Sequence, residues 1–227
     1  MQEQNDELTI SNDDLINSDD LSREFQESRS QLKSFEKSDN NKKIINDIFT
    51  ISVTNTRSLA KKLSSLIETL EELGSDLAVI TETWFQGNAG TEELLIDLRD
   101  DQGYSIIRRD RPGDRPSGGE AILYKQASIE LTPIKFKKSD FEVTCALGRR
   151  TGQRKKILVI AAYIPPWYNA EKNRAVLEYL CDLVLTMKRR YKDPHVVVAG
   201  DINGRDLKGA LSDYRDVKQI ETGPTRG

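Results

Sequence analysis

Residues 49–81 constrain the fold more than any other stretch. Phe49-Thr50-Ile51-Ser52-Val53-Thr54 is a β-branched, apolar run of strand length. Leu59, Leu63, Leu66, Ile67, Leu70 and Leu73 then recur at spacings of three and four, which makes one apolar helical face. Gly74 follows where a left-handed C-terminal cap belongs. Leu77 to Thr81 is a second apolar run. Strand, helix and strand in that length make a βαβ unit with two parallel strands. Parallel strands end at the same edge, so Asn55 and Glu82, just past the two runs, are expected side by side.

A similar strand end recurs at Val196-Val197-Val198-Ala199-Gly200-Asp201-Ile202-Asn203-Gly204, where an apolar run enters a tight turn carrying a carboxylate and a carboxamide. An Asx turn, with Asp201 bonding its own backbone, accounts for this stretch taken alone. Ligands of open α/β sheets tend to bind beyond the carboxyl ends of strands. Two acids at two strand mouths are also what a hard cation requires, because its oxygen ligands come from separate elements. Tyr163 closes a further run, Ile157 to Ala162.

Taken in order, Asn55-Thr56-Arg57-Ser58-Leu59, Ile80-Thr81-Glu82-Thr83-Trp84, Gly118-Gly119 before Ala121-Ile122-Leu123, Tyr163 with Pro165-Pro166, and Gly200-Asp201-Ile202-Asn203 resemble the endonuclease/exonuclease/phosphatase superfamily. The wording is most similar to the endonuclease domain of non-LTR retrotransposons, kin of the apurinic endonucleases and exonuclease III. The resemblance covers residues 47–227. It implies a four-layer α/β sandwich, two mixed β-sheets flanked by helices. It also implies a Mg²⁺-dependent phosphodiesterase, with Mn²⁺ as the alternative ion and the DNA backbone as partner. In that reading Glu82 holds the metal with Asn55 as second ligand or neighbour. Asp201 orients or deprotonates the attacking water, Asn203 donates to the developing phosphorane, and Tyr163 serves the phosphate or the leaving group. The residue chemistry agrees, since Asp accepts, Asn carries NH₂ donors and Tyr a donor hydroxyl. Tyr163 as a plain strand-end aromatic and Asn55 as a helix N-cap stay open.

Relatives in that superfamily close the domain with further strands that carry another Asp and a final Ser-Asp-His. No counterpart stands before Gly227, so the resemblance predicts a fold incomplete at its C-terminus and weak or absent nuclease activity from this chain. The alternatives are a non-catalytic remnant or binding module of the same fold, or a superfamily phosphatase acting on small phosphates or lipid head groups. His195, the sole histidine, starts a strand rather than ending one and is expected to be structural or solvated.

Charge qualifies the partner. The chain carries a net −3, but residues 1–46 hold −5 (6 basic, 11 acidic), which leaves +2 for the rest (28 against 26). Phosphate binding would need a local basic rim rather than global attraction. The best candidate is the loop Arg108 to Gly119, with Arg108, Arg109, Arg111 and Arg115. A second is the hairpin loop Gly148 to Lys156, with five cations, for which solvation and edge protection are the simpler explanation. Residues 1–46 are polar, acidic and short of apolar residues, and predict a disordered tail.

Tyr104–Ile107, Ala121–Tyr124, Ile129–Leu131, Phe141–Leu147 and Ile157–Tyr163 are short strands parted by turn residues and are expected to be antiparallel. Glu120 stands where relatives carry an apolar residue; it either costs stability or marks a sheet edge. A helix is expected over 170–190, closing on Lys188-Arg189-Arg190. Cys145 and Cys181 lie in apolar runs and read as buried thiols without a disulfide partner. With no secretory signal and no run of membrane-spanning length, an intracellular protein of nucleus or cytoplasm is expected.

Overall fold

The architecture follows from two sheets that each bury both faces. A computed structural model describes residues 49–112, 117–136 and 140–211. The expected tail over residues 1–46 and the last residues, 212–227, lie outside them. The first sheet has the order β1-β2-β4-β3, built from β1 (Ile51–Asn55), β2 (Leu77–Thr81), β3 (Tyr104–Arg109) and β4 (Glu120–Lys125). The second has the order β5-β6-β7-β8, from β5 (Ile129–Pro133), β6 (Glu142–Arg150), β7 (Lys156–Tyr163) and β8 (His195–Asp201). In each sheet one pair is parallel, β1 with β2 and β7 with β8, and the rest are antiparallel.

Successive side chains of a strand point to opposite faces, and the cores divide on that period. In β2, Leu77 and Val79 meet Val159 and Ala161 of β7 in the layer between the sheets. Ala78 and Ile80 point the other way, under α1 (Leu63–Glu72) and α2 (Ala89–Asp100). In β7, Leu158, Ile160 and Ala162 pack under α3 (Ala170–Arg190), with Leu207 and Leu211 from the region of the short α4 (Leu207–Ala210) beside them. The result is the four-layer sandwich, helices outside and sheets face to face.

Local signals explain the helices. α1 follows a 3-10 turn at Ala60–Lys62 and stops at Gly74, whose φ of +61° takes the cap conformation that costs glycine least. Asn169 caps α3 by accepting from the Lys172 amide at 2.8 Å. Asn88 caps α2 in the same way, from the Thr91 amide at 2.9 Å. The sequence does not announce α2, because its apolar residues Leu94, Leu95, Ile96 and Leu98 fall close together rather than on one clean stripe.

Glu120 is not at an edge. It starts β4, which is paired on both sides, and it is fully buried. Cys145 is buried, Cys181 only half-buried, and neither is in a disulfide. Among the described residues, no helix is long and apolar enough to cross a membrane.

Candidate functional site

Both parallel pairs end at one place. Asn55 and Glu82 leave the ends of β1 and β2; Tyr163 and Asp201 are register partners at the ends of β7 and β8. The two sheets are joined there by Asn55 Nδ2, which donates to Asp201 Oδ2 at 2.9 Å. Because a carboxylate oxygen accepts, the Asn55 amide must present its nitrogen to Asp201 and its oxygen elsewhere. That Oδ1 is buried and has no hydrogen-bond partner. Such an orphan carries a desolvation cost of about 1–3 kcal/mol, which a cation or water would relieve.

Asp201 has two tasks. Its Oδ1 accepts from the Asn203 amide at 3.2 Å, so the Asx turn is real, while Oδ2 is the atom that reaches Asn55. Asn203 takes a left-handed φ of +48°, uncommon outside Gly and Asn. One N–H of its side chain donates to Ile164 O at 2.9 Å, binding this turn to the segment after Tyr163. Arg205 braces it further, reaching Asn203 O and Asn173 Oδ1, both at 2.9 Å.

Glu82 is held from three directions. Trp84 Nε1 donates to Oε2 at 2.6 Å, the Gly118 amide to the same atom at 3.0 Å, and the Tyr163 hydroxyl bonds the carboxyl too. Burial acts to raise the Glu82 carboxyl, but these donors and the nearby Arg111 charge outweigh it and hold the group below its usual range. Burial pushes the Tyr163 phenol well up, and its bond to Glu82 and the charges of Glu82, Asp201 and Glu142 add to that. Tyr163 is therefore a proton-bearing donor at neutral pH.

Local backbone strain concentrates here. Among the described non-glycine residues with positive φ, Arg57, Ser58, Glu82, Trp84 and Asn203 belong to these strand-end loops; Lys192 and Asp193 do not. The Arg57-Ser58 bend is tied down by Ser58 N to Glu82 O and Leu59 N to Thr83 O, both at 2.9 Å. Lys62 Nζ reaches back to Thr56 O at 2.5 Å. Strain of about 1–3 kcal/mol per residue persists only where the surroundings over-determine it, a condition common at functional sites.

The arginines expected at the phosphate divide. Arg108 pairs with Glu92 and Asp110 and lies over Phe85, so its charge is spent within the first sheet's helix layer. Arg109 donates to Phe141 O at 2.7 Å, bridging the sheets. Both, expected as phosphate contacts, are engaged within the protein in this geometry. Arg115 lies outside the described residues. Of the described arginines of this loop, Arg111 reaches the site, paired with Glu142 and 6.0 Å from the Tyr163 ring centre. His195 pairs in register with Ile157, at the far end of the second sheet, and is exposed.

Glu142 belongs to the site although the strand-end pattern does not single it out. It is the register partner of Tyr163, takes Arg111 on one oxygen and the Gly119 amide on the other at 2.9 Å. Gly118 and Gly119 thus give successive amides to two different carboxylates. An acid opening an otherwise apolar strand is the signal in the sequence, as at Glu120.

The set can do three things: hold a hard cation, orient a water and donate to an oxyanion. Among the described residues no three His, Cys, Asp or Glu side chains cluster as a metal-binding group. Mg²⁺ does not need them, since it binds through one or two carboxylates and keeps its waters. Glu82 and the orphaned Asn55 oxygen fit that sparse pattern.

No protein-family model and no curated protein matches this sequence significantly. Solved structures do. The structure of ANGEL2, a 2′,3′-cyclic phosphatase, is 15% identical, with a TM-score of 0.52 over 72% of this chain and 55% of that one. The AP endonuclease LMAP from Leishmania major is 17% identical, TM-score 0.53, over 68% and 55%. The human Nocturnin catalytic domain, with bound sulfate, is 12% identical, TM-score 0.53, over 72% and 68%. The chain spans little more than half the length of the first two. The fold is that of the endonuclease/exonuclease/phosphatase proteins.

Proposed function

We propose that this chain carries the metal-dependent phosphodiesterase site of a DNA-nicking endonuclease, of the kind found in non-LTR retrotransposons. The observation that carries the reading is the Asn55–Asp201 bond between the sheets, with the buried Asn55 oxygen left unpaired at the strand end next to that of Glu82. Glu82 and Asn55 Oδ1 would hold Mg²⁺, or Mn²⁺; when bound, the ion would neutralise charge on the phosphoryl oxygens. Asp201, fixed by donors on both oxygens, receives the proton of the attacking water. The remaining N–H of the Asn203 side chain donates to an oxygen on which charge develops, and Tyr163 does the same once its hydroxyl leaves Glu82. Arg111 adds a fixed positive charge beside the Tyr163 ring.

The second reading is a binding module of the same fold with little turnover. Nicking of supercoiled plasmid with Mg²⁺ or Mn²⁺, beside EDTA and Asp201→Ala controls, separates the two. Metal-dependent nicking that falls at least about 100-fold in the variant is expected for the enzyme. A folded wild-type chain that nicks with neither ion would overturn the enzymatic reading and leave the binding module.

A further inference from the structure

The end of the second sheet away from the candidate site is strongly basic. The β6–β7 hairpin carries Arg149, Arg150, Arg154, Lys155 and Lys156, and the end of α3 brings Lys188, Arg189 and Arg190, with Lys192 just after. These form one surface. Lys156 Nζ lies 5.7 Å from the Tyr191 ring centre, Arg190 covers the same ring at 5.4 Å, and Lys155, Lys188 and His195 all act on Asp193. Nine Lys and Arg side chains stand here in a chain whose net charge is −3; Lys188 pairs with Asp193 at 2.8 Å, and Glu130 lies opposite Arg149 in register.

Structural roles account for part of the surface: Arg150 lies over Phe49, Lys156 and Arg190 over Tyr191, and Lys188 pairs with Asp193. Edge protection applies to strands with an unpaired side. β6 lies between β5 and β7, and β7 between β6 and β8, so the hairpin joins the two central strands and has no edge to guard. Helix-dipole complementarity explains the α3 terminus but not the hairpin. Exposed like charges gathered from two elements, among them Arg149, Arg154, Lys155, Arg189 and Lys192, cost free energy unless an anion offsets them.

We infer that this surface is a second contact for a nucleic-acid phosphate backbone, separate from the hydrolytic site. The geometry points to a polyanion with repeated charges, since the cations come from two elements and are mostly exposed. Of the exposed large apolar side chains among the described residues, Val53, Ile96, Trp167 and Leu185, it is Leu185 that lies near the patch, one turn before Lys188 and Arg189. Membrane-surface binding depends on several such anchors beside the cations. The choice of nucleic acid as the polyanion rests on the phosphodiesterase reading. The eight residues of β7 separate the patch from Tyr163 by roughly 23 Å at about 3.3 Å per residue, so one small phosphate compound cannot bridge them.

The test is fluorescence anisotropy of a labelled 30-base-pair duplex with the full chain in EDTA, titrated over a range of NaCl concentrations. Arg154→Gln, Lys155→Gln and Arg189→Gln combined should weaken binding at least tenfold at moderate salt. They should also flatten the slope of log K against log salt by up to about 2.7, at about 0.9 for each phosphate no longer neutralised. Lys61→Gln with Lys135→Gln, exposed cations outside the patch, should change neither quantity. Unchanged affinity and slope in the triple variant would overturn the inference, as would equal losses in the control. Vesicles containing phosphatidylserine supply the competing outcome: binding to them abolished in the triple variant, with DNA binding intact, would make the patch a membrane surface. The assay needs no turnover. A chain that fails to nick DNA but loses duplex affinity in the triple variant would sink the enzymatic proposal and keep this one.

Discussion

Replacing Glu120 by Gln should stabilise the protein, and more so as pH rises. The carboxyl is fully buried in the interior strand β4. One oxygen accepts from Thr144 Oγ1 at 3.0 Å, and the other has no hydrogen-bond partner. Burial is the largest influence on it. The Glu142 charge adds, Thr144, Arg109 and Arg111 oppose, and the group is pushed from 4.5 up to about 8. Between those values the native state keeps a proton that the unfolded chain releases, so stability falls with pH by about 1.36 kcal/mol per unit. The loss is absent below the unfolded value, reaches about 3 kcal/mol at pH 7, and levels off above pH 8. A glutamine keeps the acceptor for Thr144, has nearly the same shape, and cannot ionise. Urea unfolding followed by tryptophan fluorescence at pH 5, 7 and 8.5 reads the difference. With a slope near 2 kcal/mol per molar urea, the variant's midpoint at pH 7 should exceed wild type by about 1.5 M, with the gap closing toward pH 5. Midpoints that stay a constant distance apart from pH 5 to 8.5 would refute the reasoning, because Glu120 would then not be carrying a proton into the folded state.

Two further outcomes are expected. Trp84→Phe removes the indole donor from Glu82 Oε2, so the Glu82 carboxyl should rise and the acid limb of Mg²⁺ binding, followed by titration calorimetry across pH, should move to higher pH. An unmoved limb would mean that the indole does not stabilise the carboxylate. Gly200→Ala places a methyl on the Ala162 carbonyl of the neighbouring strand, at a φ of +140° that side chains rarely adopt. It should cost about 2–3 kcal/mol and lower the melting temperature by roughly 5–10 °C, a drop that differential scanning calorimetry resolves.

Much of the fold is legible in the sequence, for one physical reason: burial on both faces writes strands as uninterrupted apolar runs. Leu77–Thr81 and Ile157–Ala162 show it, and their parallel partners follow from the intervening helices. The convergence of Asn55, Glu82, Tyr163 and Asp201 is therefore foreseeable from strand ends. The arginine loop is not. Whether a guanidinium faces solvent or a carbonyl depends on register between elements far apart in sequence, as Arg109 with Phe141 shows. Glu142 is hidden for the same reason; its significance comes from lying opposite Tyr163, which only the β6–β7 register reveals. Glu120 looks out of place in the sequence, but whether β4 is interior cannot be read without the sheet order.

The site's design rests on the two parallel pairs. Each sheet has one, and each pair delivers two residues to the same mouth: an amide and an acid from β1 and β2, a phenol and an acid from β7 and β8. Antiparallel pairing would have sent the members of each pair to opposite ends of the sandwich. The two halves then lock through side chains, Asn55 to Asp201 and Tyr163 to Glu82, each linking one sheet to the other. The apolar layer between the sheets is non-directional, so it holds the sheets together without fixing their relative slide to a fraction of an ångström. Directional hydrogen bonds at the mouth do fix it. Asn55→Ala should accordingly do more than remove one oxygen. It should loosen Asp201 and lower Mg²⁺ affinity together, whereas Asn203→Ala, which keeps the backbone N–H on Asp201, should spare the metal and weaken only the tie to Ile164 O. Titration calorimetry with Mg²⁺ on both variants checks this, and equal losses of affinity in the two would refute it.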